Sequence, residues 1–397
     1  CFSSLVDPRK NQAQHDLTEM LFIALLATLS GATTCCDIEL FGRAKEALLR
    51  TILVLEHGIP SHDTFSRVFR ILDPDSLENV FRRFTKAFAT TAKIKGVVAI
   101  DGKALRRAYE RGQSHMPPVM VTAWSAMTRM ALANVRAPGN NEAAGALLLI
   151  ELLQLKDCVV TADALHCHRE MAKAIVARGG DYVLAVKNNQ PGLLRDAKAA
   201  ISAAERKKAK RAATKEVSHG RKEARTAIVA SVRDMAEKHD FPGLKAVARI
   251  TSKRGSDKTV QRYFLLTQHY TPAELLRIVR EHWGIENVLH WTLDVVLDED
   301  QTRSRKDHAP ANLAVLRRLA LNIARAHPDT KTSLRGKLKR AAWDEFPRRY
   351  AHEHAIALPW RGRVRIAPSS NPLLLRIGKE QLLSLDLVAG DCVLAFG

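Results

Sequence analysis

Few features of this chain point to an oxidising compartment or to a membrane. Six cysteines in 397 residues form no C-x-x-C pair and no even spacing. That argues against a zinc ribbon and against a disulfide framework, and it fits a reducing cytosol. His166-Cys167-His168 has the residue types of metal ligands. Alternation on so short a segment turns Cys167 away from both histidines, and no second cluster stands nearby. Long apolar runs are missing too. The longest, Met20 to Leu29, is too short to span a bilayer and reads as a buried helix. The start lacks the charged stretch followed by an apolar one that marks a signal peptide. The largest deficit is in negative charge: 42 Asp and Glu face 62 Lys and Arg, a formal charge of +20. Such an excess implies a polyanionic partner, nucleic acid first, with a generic basic surface as the alternative.

What is present is enough for two or three domains with cores of their own, at 46% hydrophobic and 26% charged residues. Up to about residue 90 the patterning is helical. Helices are predicted over His15 to Ser30, Asp37 to Leu55, His62 to Leu72 with Ser61 as N-cap, and from Asp73-Pro74 to Phe88. Such short helices suit either a DNA-reading helix-turn-helix or a small bundle packed on the next domain. Near Lys93 the pattern changes. Val97 to Ile100, Val119 to Trp124 and Met130 to Val135 read as an antiparallel meander. A helix (Ala143 to Leu155), a strand (Val159 to Ala162), a helix (His166 to Arg178) and a strand (Tyr182 to Val186) follow. This α/β order is that of a ribonuclease-H-like core. Residues of about 188–270 are expected to form a β-rich insertion carrying basic residues such as Glu205 to Arg211. The domains expected are therefore a helical 1–92, a catalytic 93–328 with that insertion, and a tail 329–397.

Two carboxylates close core strands: Asp101 after Val97-Val98-Ala99-Ile100, and Asp163 after Val159-Val160-Thr161-Ala162. A buried carboxylate is costly unless it is paired or holds a metal. Two such acids plus a third on a nearby helix are what a Mg²⁺-dependent phosphoryl-transfer site requires, Mn²⁺ being a substitute. Two cations about 3.5–4 Å apart can serve both the attacking and the leaving oxygen of a phosphodiester. For the third acid, Glu286 competes with Glu281, Asp294, Asp298, Glu299 and Asp300, and the residues alone do not choose. Structural roles compete as well: Asp101-Gly102 also signals a turn, and Asp163 also suits an N-cap.

Several ordered stretches carry a family resemblance. They are Asp7-Pro8-Arg9, Phe41-Gly42-Arg43-Ala44-Lys45, Gly58-Ile59-Pro60-Ser61-His62-Asp63-Thr64-Phe65, Val97 to Lys103, Arg178 to Lys187, Asn189-Gln190-Pro191, His219-Gly220-Arg221, His282 to Val295 and Ala311 to Arg318. On these the chain resembles the bacterial insertion-sequence transposases of the ISAs type, which include the H-repeat-associated proteins, within the DDE class. The resemblance spans about residues 2–345. It implies metal-dependent cutting and joining of double-stranded DNA by a cytoplasmic protein that acts at the nucleoid as a homodimer. It selects Glu286 as the third acid beside Asp101 and Asp163. It implies DNA contacts from Lys103, Lys187, Asn189, Gln190, His219, Arg221, His282, Trp283, Asn287 and His290. Two departures stand out. The family places a lysine two residues before an Asn-Glu pair, whereas Gly139-Asn140 precedes Asn141-Glu142 here. After Trp343-Asp344-Glu345 the resemblance stops, and a proline- and arginine-rich tail reads as a shifted frame or a foreign segment. A DNA-binding protein without catalysis, or a nuclease of the same fold, are the competing functions.

Overall fold

The computed structural model describes residues 2–9, 13–89, 95–109, 116–218, 221–343, 375–377 and 381–383. His219 and nearly all of the tail lie outside the described residues. No helix among those described is long and apolar enough to cross a membrane.

The N-terminal part is all helical: α1 (Leu17–Leu29), α2 (Cys35–Ala44), α3 (Glu46–Leu49), α4 (His62–Ile71) and α5 (Pro74–Ala89). Three of these starts have a local cause in a capping side chain. The Asp16 side chain accepts from the Glu19 N–H. Thr34 and Asp37 form a reciprocal capping box. Ser61 caps α4 as its sequence predicts. The single helix expected over Asp37 to Leu55 is instead two, because Lys45 leaves helical geometry at φ −113° and ψ 17°.

The chain then enters a mixed sheet. β1 (Gly96–Ala104), β2 (Val119–Ser125) and β3 (Ala131–Arg136) form the expected meander. α6 (Glu142–Glu151), β4 (Cys158–Ala162), α7 (Arg169–Ala177) and β5 (Asp181–Val186) follow. β1, β4 and β5 run parallel. This is the strand order of a ribonuclease-H-like core, placed behind a helical region.

The segment after β5 departs from the expectation. It opens with a helix, α8 (Pro191–Arg206), that the sequence reading missed. Pro191 sits in its first turn, and Leu193, Leu194, Ala197 and Ile201 are buried at helical spacing. Its strands β6 (Arg211–Ser218), β7 (Arg221–Ser231), β8 (Ala246–Arg254) and β9 (Val260–Leu266), with the short α9 (Met235–Lys238) between β7 and β8, extend the same sheet. The order is β3-β2-β1-β4-β5-β9-β8-β7-β6, one sheet of nine strands. At the turn between α8 and β6, Glu205 pairs with Arg249 at 2.7 Å and Arg211 at 2.9 Å.

The last helices close the second face: α10 (Pro272–His282), α11 (Trp291–Val295), α12 (Ala309–Ala326) and α13 (Leu334–Trp343). Strand alternation sorts the core between the two faces. Val98, Ile100, Val160, Ala162 and Leu184 pack toward α6, α7 and α8. Val97 and Val183 pack toward α10, and Ala99 and Trp124 join the core of the N-terminal helices and α12. Arg318 of α12 is fully buried and pairs with the equally buried Glu299 at 2.8 Å. Such a pair is a poor source of net stability, but removing one partner is expensive, so it fixes how α12 sits against the turn after α11, while Arg318 Nε–H donates to Thr122 of β2 at 3.2 Å.

Candidate active site

The site grows from the alternation of β1 and β4. Ile100 pairs with Ala162 in register, so Asp101 and Asp163 are neighbours at the ends of adjacent parallel strands. Val97 and Ala99 face α10 and α12, so by parity Asp101 does as well. Ligands gather at the carboxyl ends of parallel strands in open sheets of this kind. Asp163 also caps the short turn after it, accepting from the Leu165 N–H at 2.8 Å.

Glu286 comes from the helical run above this face. α10 does not continue regularly into α11. Residues Ile285–His290 form a π-helical turn, and the Trp291 N–H donates to the Glu286 carbonyl five residues back. Such bulges concentrate at functional sites. The turn is pressed on the sheet at Gly284, where an added Cβ would overlap the indole of buried Trp124. Gly284→Ala is therefore expected to displace the Glu286 turn. The expected cost is about 1–3 kcal/mol of stability from overpacking and roughly 10²-fold in DNA cleavage from misplacement of about 1 Å. Thermal unfolding and a cleavage time course check both.

Asp101, Asp163 and Glu286 line one cavity of about 240 Å³, together with Thr161, Lys187, Arg262, His282 and Trp283. Most of Glu286's acidic competitors are engaged elsewhere. Lys103 holds Asp300 at 2.6 Å and Asp294 at 2.7 Å, with Glu299 at 3.8 Å. Glu281 pairs with Arg277 at 2.8 Å. Asp298 is exposed in a left-handed turn.

The electrostatics are those of crowded acids. Burial, and then the charges of Glu142, Glu286 and Asp163, push the Asp101 carboxyl up to about 7, against one bond from the Gly102 N–H. Burial and Asp163 raise Glu286, with Arg262 opposing. Burial pushes His282 down to about 4 and His290 down to about 3, so both rings are neutral near pH 7. Among the described residues, no three His, Cys, Asp or Glu side chains are already drawn together as metal ligands. The charges acting most strongly on Asp101 are nonetheless all negative, and the donors are hard oxygens. That donor set fits a Mg²⁺ or Mn²⁺ ion.

The expected DNA-contacting residues divide into groups. Lys187 is exposed and lines the cavity. His282 Nδ1 lies 3.0 Å from Thr161 Oγ1, and the Arg262 guanidinium lies 5.3 Å above the Trp283 ring. His290 Nδ1 is 3.6 Å from Asp101, and Asn287 is exposed beside Glu286. Asn189 and Gln190 tie back the turn after Asp163, donating to the carbonyls of Ala164 at 2.6 Å and Cys167 at 3.2 Å. Lys103 is only 7% exposed, and its charge is spent on the acids of α11 and the turn beyond it. Arg221 opens β7, paired with Ser218 of β6.

Sequence reading missed Arg262 and Glu142. The β5–β9 register puts Arg262 beyond the Val186–Tyr263 pair, opposite Lys187, on the face of Phe264 and α10. The alternation of Val260 to Leu266 carries that signal once β9 is placed beside β5. Lys187 and Asp163 also border a second cavity of about 670 Å³, lined in addition by Lys198, Gln261 and Tyr263.

Comparison with known proteins gives the family. Residues 92–323 match the family model described as Transposase DDE domain, and residues 1–85 match the one described as DDE_Tnp_1-associated. The chain belongs to the DDE transposase family. Its relatives include H repeat-associated proteins. YbfL of Escherichia coli K12 is 32% identical over 346 residues, covering 84% of this chain and 91% of that protein. The H repeat-associated protein YhhI of the same strain is 31% identical over the same shares. A Xanthobacter autotrophicus protein encoded in the dhlA 3′ region is 35% identical over 275 residues, 68% of this chain and 93% of its own. A piggyBac transposase synaptic complex aligns over 85% of this chain and 73% of its own at 13% identity, with a TM-score of 0.41, too low to bear on the fold.

Proposed function

We propose that this chain is the transposase of an insertion sequence, which opens DNA at the element ends and joins the freed 3′-hydroxyl to target DNA. The observation that carries the reading is the convergence of Asp101, Asp163 and Glu286 on one cavity at the carboxyl ends of β1 and β4. A divalent cation held by these three would supply Lewis-acid stabilisation of the charge that builds on the phosphodiester.

The remaining roles belong to the chain itself. Lys187 and Arg262, opposite each other at the cavity edge, neutralise phosphates flanking the scissile bond. Neutral His282, set by Thr161, and Trp283, under Arg262, shape the wall against which the strand end lies. Asn287, one residue beyond Glu286, adds a polar contact from the exposed side of the turn. Arg221, at the start of β7, serves DNA, and the same role is proposed for His219, which lies outside the described residues. Lys103 is reassigned to docking the Glu286 helix, because its ion pairs join β1 to α11. A homodimer is the working form, since two ends must be brought together.

Joining is what distinguishes a transposase from a nuclease of this fold. Given pre-cleaved end DNA, Mg²⁺ and a target plasmid, the protein is expected to yield covalent end–target products. Products of cutting alone would assign a nuclease. Retarded DNA with neither product would assign a binding protein.

A further inference from the structure

Glu142 is a carboxylate close to the site with no assigned part in the reaction. It is the first residue of α6, on the opposite side of the sheet from Glu286, and Asn141 caps that helix by accepting from the Ala144 N–H at 3.1 Å. Its carboxyl lies over Gly102, the residue after Asp101 in β1. A Cβ added at Gly102 would overlap the Glu142 carboxyl carbon, so only glycine leaves that space open. One Glu142 oxygen accepts from Nε2–H of His166 at 2.9 Å. His166 is 0% exposed, its Nδ1 has no partner, and its backbone N–H donates to the Asp163 carbonyl at 3.2 Å. A single side chain thus touches the chain just beyond each aspartate: the glycine after Asp101 and the turn after Asp163.

We propose that Glu142 is a positioning residue for the metal-binding aspartates, braced by His166 and admitted by Gly102. The inference rests on the metal-dependent reading above. Two physical effects give it content. Packing on Gly102 and bonding to the turn after Asp163 hold the two strand ends in a fixed relation. The negative charge of Glu142, at a helix N-terminus that favours it, adds to the field that attracts a cation. Side chains that support metal ligands from outside the coordination sphere typically govern affinity by about 10- to 100-fold.

The test is Mn²⁺ binding to the full chain without DNA, read from the electron paramagnetic resonance of free Mn²⁺. Glu142→Gln keeps the shape and removes the charge. It is expected to weaken binding about tenfold, with the number of ions and the thermal unfolding profile retained. Gly102→Ala removes no charge but drives the Glu142 carboxyl away, so it is expected to weaken binding to a similar degree. It also serves should the first variant fail to fold. Wild-type affinity in both variants overturns the positioning role and leaves the Asp101 site standing. Undiminished binding in Asp101→Asn overturns the site itself, and this inference with it.

Discussion

Asp101→Asn is expected to lower Mg²⁺-dependent cleavage of end-containing DNA by about 1,000-fold or more, the equivalent of roughly 4 kcal/mol of lost transition-state stabilisation. The substitution keeps the size of the side chain and removes its charge at the point where three acids converge. DNA binding is expected to persist, because the proposed function assigns it to phosphate contacts from Lys187, Arg262 and the wider basic surface rather than to Asp101. A quantitative cleavage assay beside a gel-shift titration separates the two. Loss of binding and cleavage together would mean that the variant had disturbed the fold instead of the chemistry.

The second large effect is on stability. Asp101 is pushed from the ordinary 3.8 up to about 7 by burial and by its acidic neighbours. A raised carboxyl holds its proton longer in the folded protein than in the unfolded chain. Its contribution is therefore fully present below pH 4 and is lost as the pH rises through 7, reaching at most about 4 kcal/mol. Metal-free protein is expected to be less stable at pH 8 than at pH 5. Buried Glu78, also raised by burial, adds a change of the same sign. The Asp101 share is isolated by difference: Asp101→Asn is expected to flatten the profile and to be more stable than wild type at pH 8. Chemical denaturation at the two pH values, with chelator present, measures it. An unchanged slope in the variant would show that Asp101 is not held among uncompensated acids.

These two results bear on residues that the sequence already picked out. Asp101 and Asp163 were legible because each ends a short apolar run, and a parallel pair in a meander-then-helix order must bring such ends together. The cap at Ser61 was legible because capping is local chemistry. What was not legible depends on contacts between layers. Glu286 could not be separated from Asp294, Glu299 or Asp300 by spacing, because only the fold shows Lys103 and Arg318 engaging those three. The π-helical turn was invisible for a related reason. One extra residue in a helical run barely alters the apolar pattern, and the contact that seats the turn, Gly284 against Trp124, joins residues far apart in sequence.

The segment after β5 shows a different shortfall. Residues from Pro191 to Arg206 carry a helical pattern that a β-rich reading of the region passed over. Once β9 joins β5, the sheet continues without a break, and Arg262 and Lys187 come to stand opposite one another. Glu142 was noticed only as half of an Asn-Glu pair. Its approach to Gly102 and His166 exists only because α6 and the turn after β4 meet at the strand ends.

The central claim is that Glu286, and not an acid further along the same helical run, completes the site with Asp101 and Asp163. The most direct measurement compares Glu286→Gln with Asp294→Asn for Mg²⁺-dependent cleavage of labelled end DNA at equal occupancy. The account predicts that Glu286→Gln abolishes cleavage while binding persists, and that Asp294→Asn, which leaves Lys103 its Asp300 partner, retains cleavage. Cleavage by Glu286→Gln at the wild-type rate, with loss in Asp294→Asn, would contradict it.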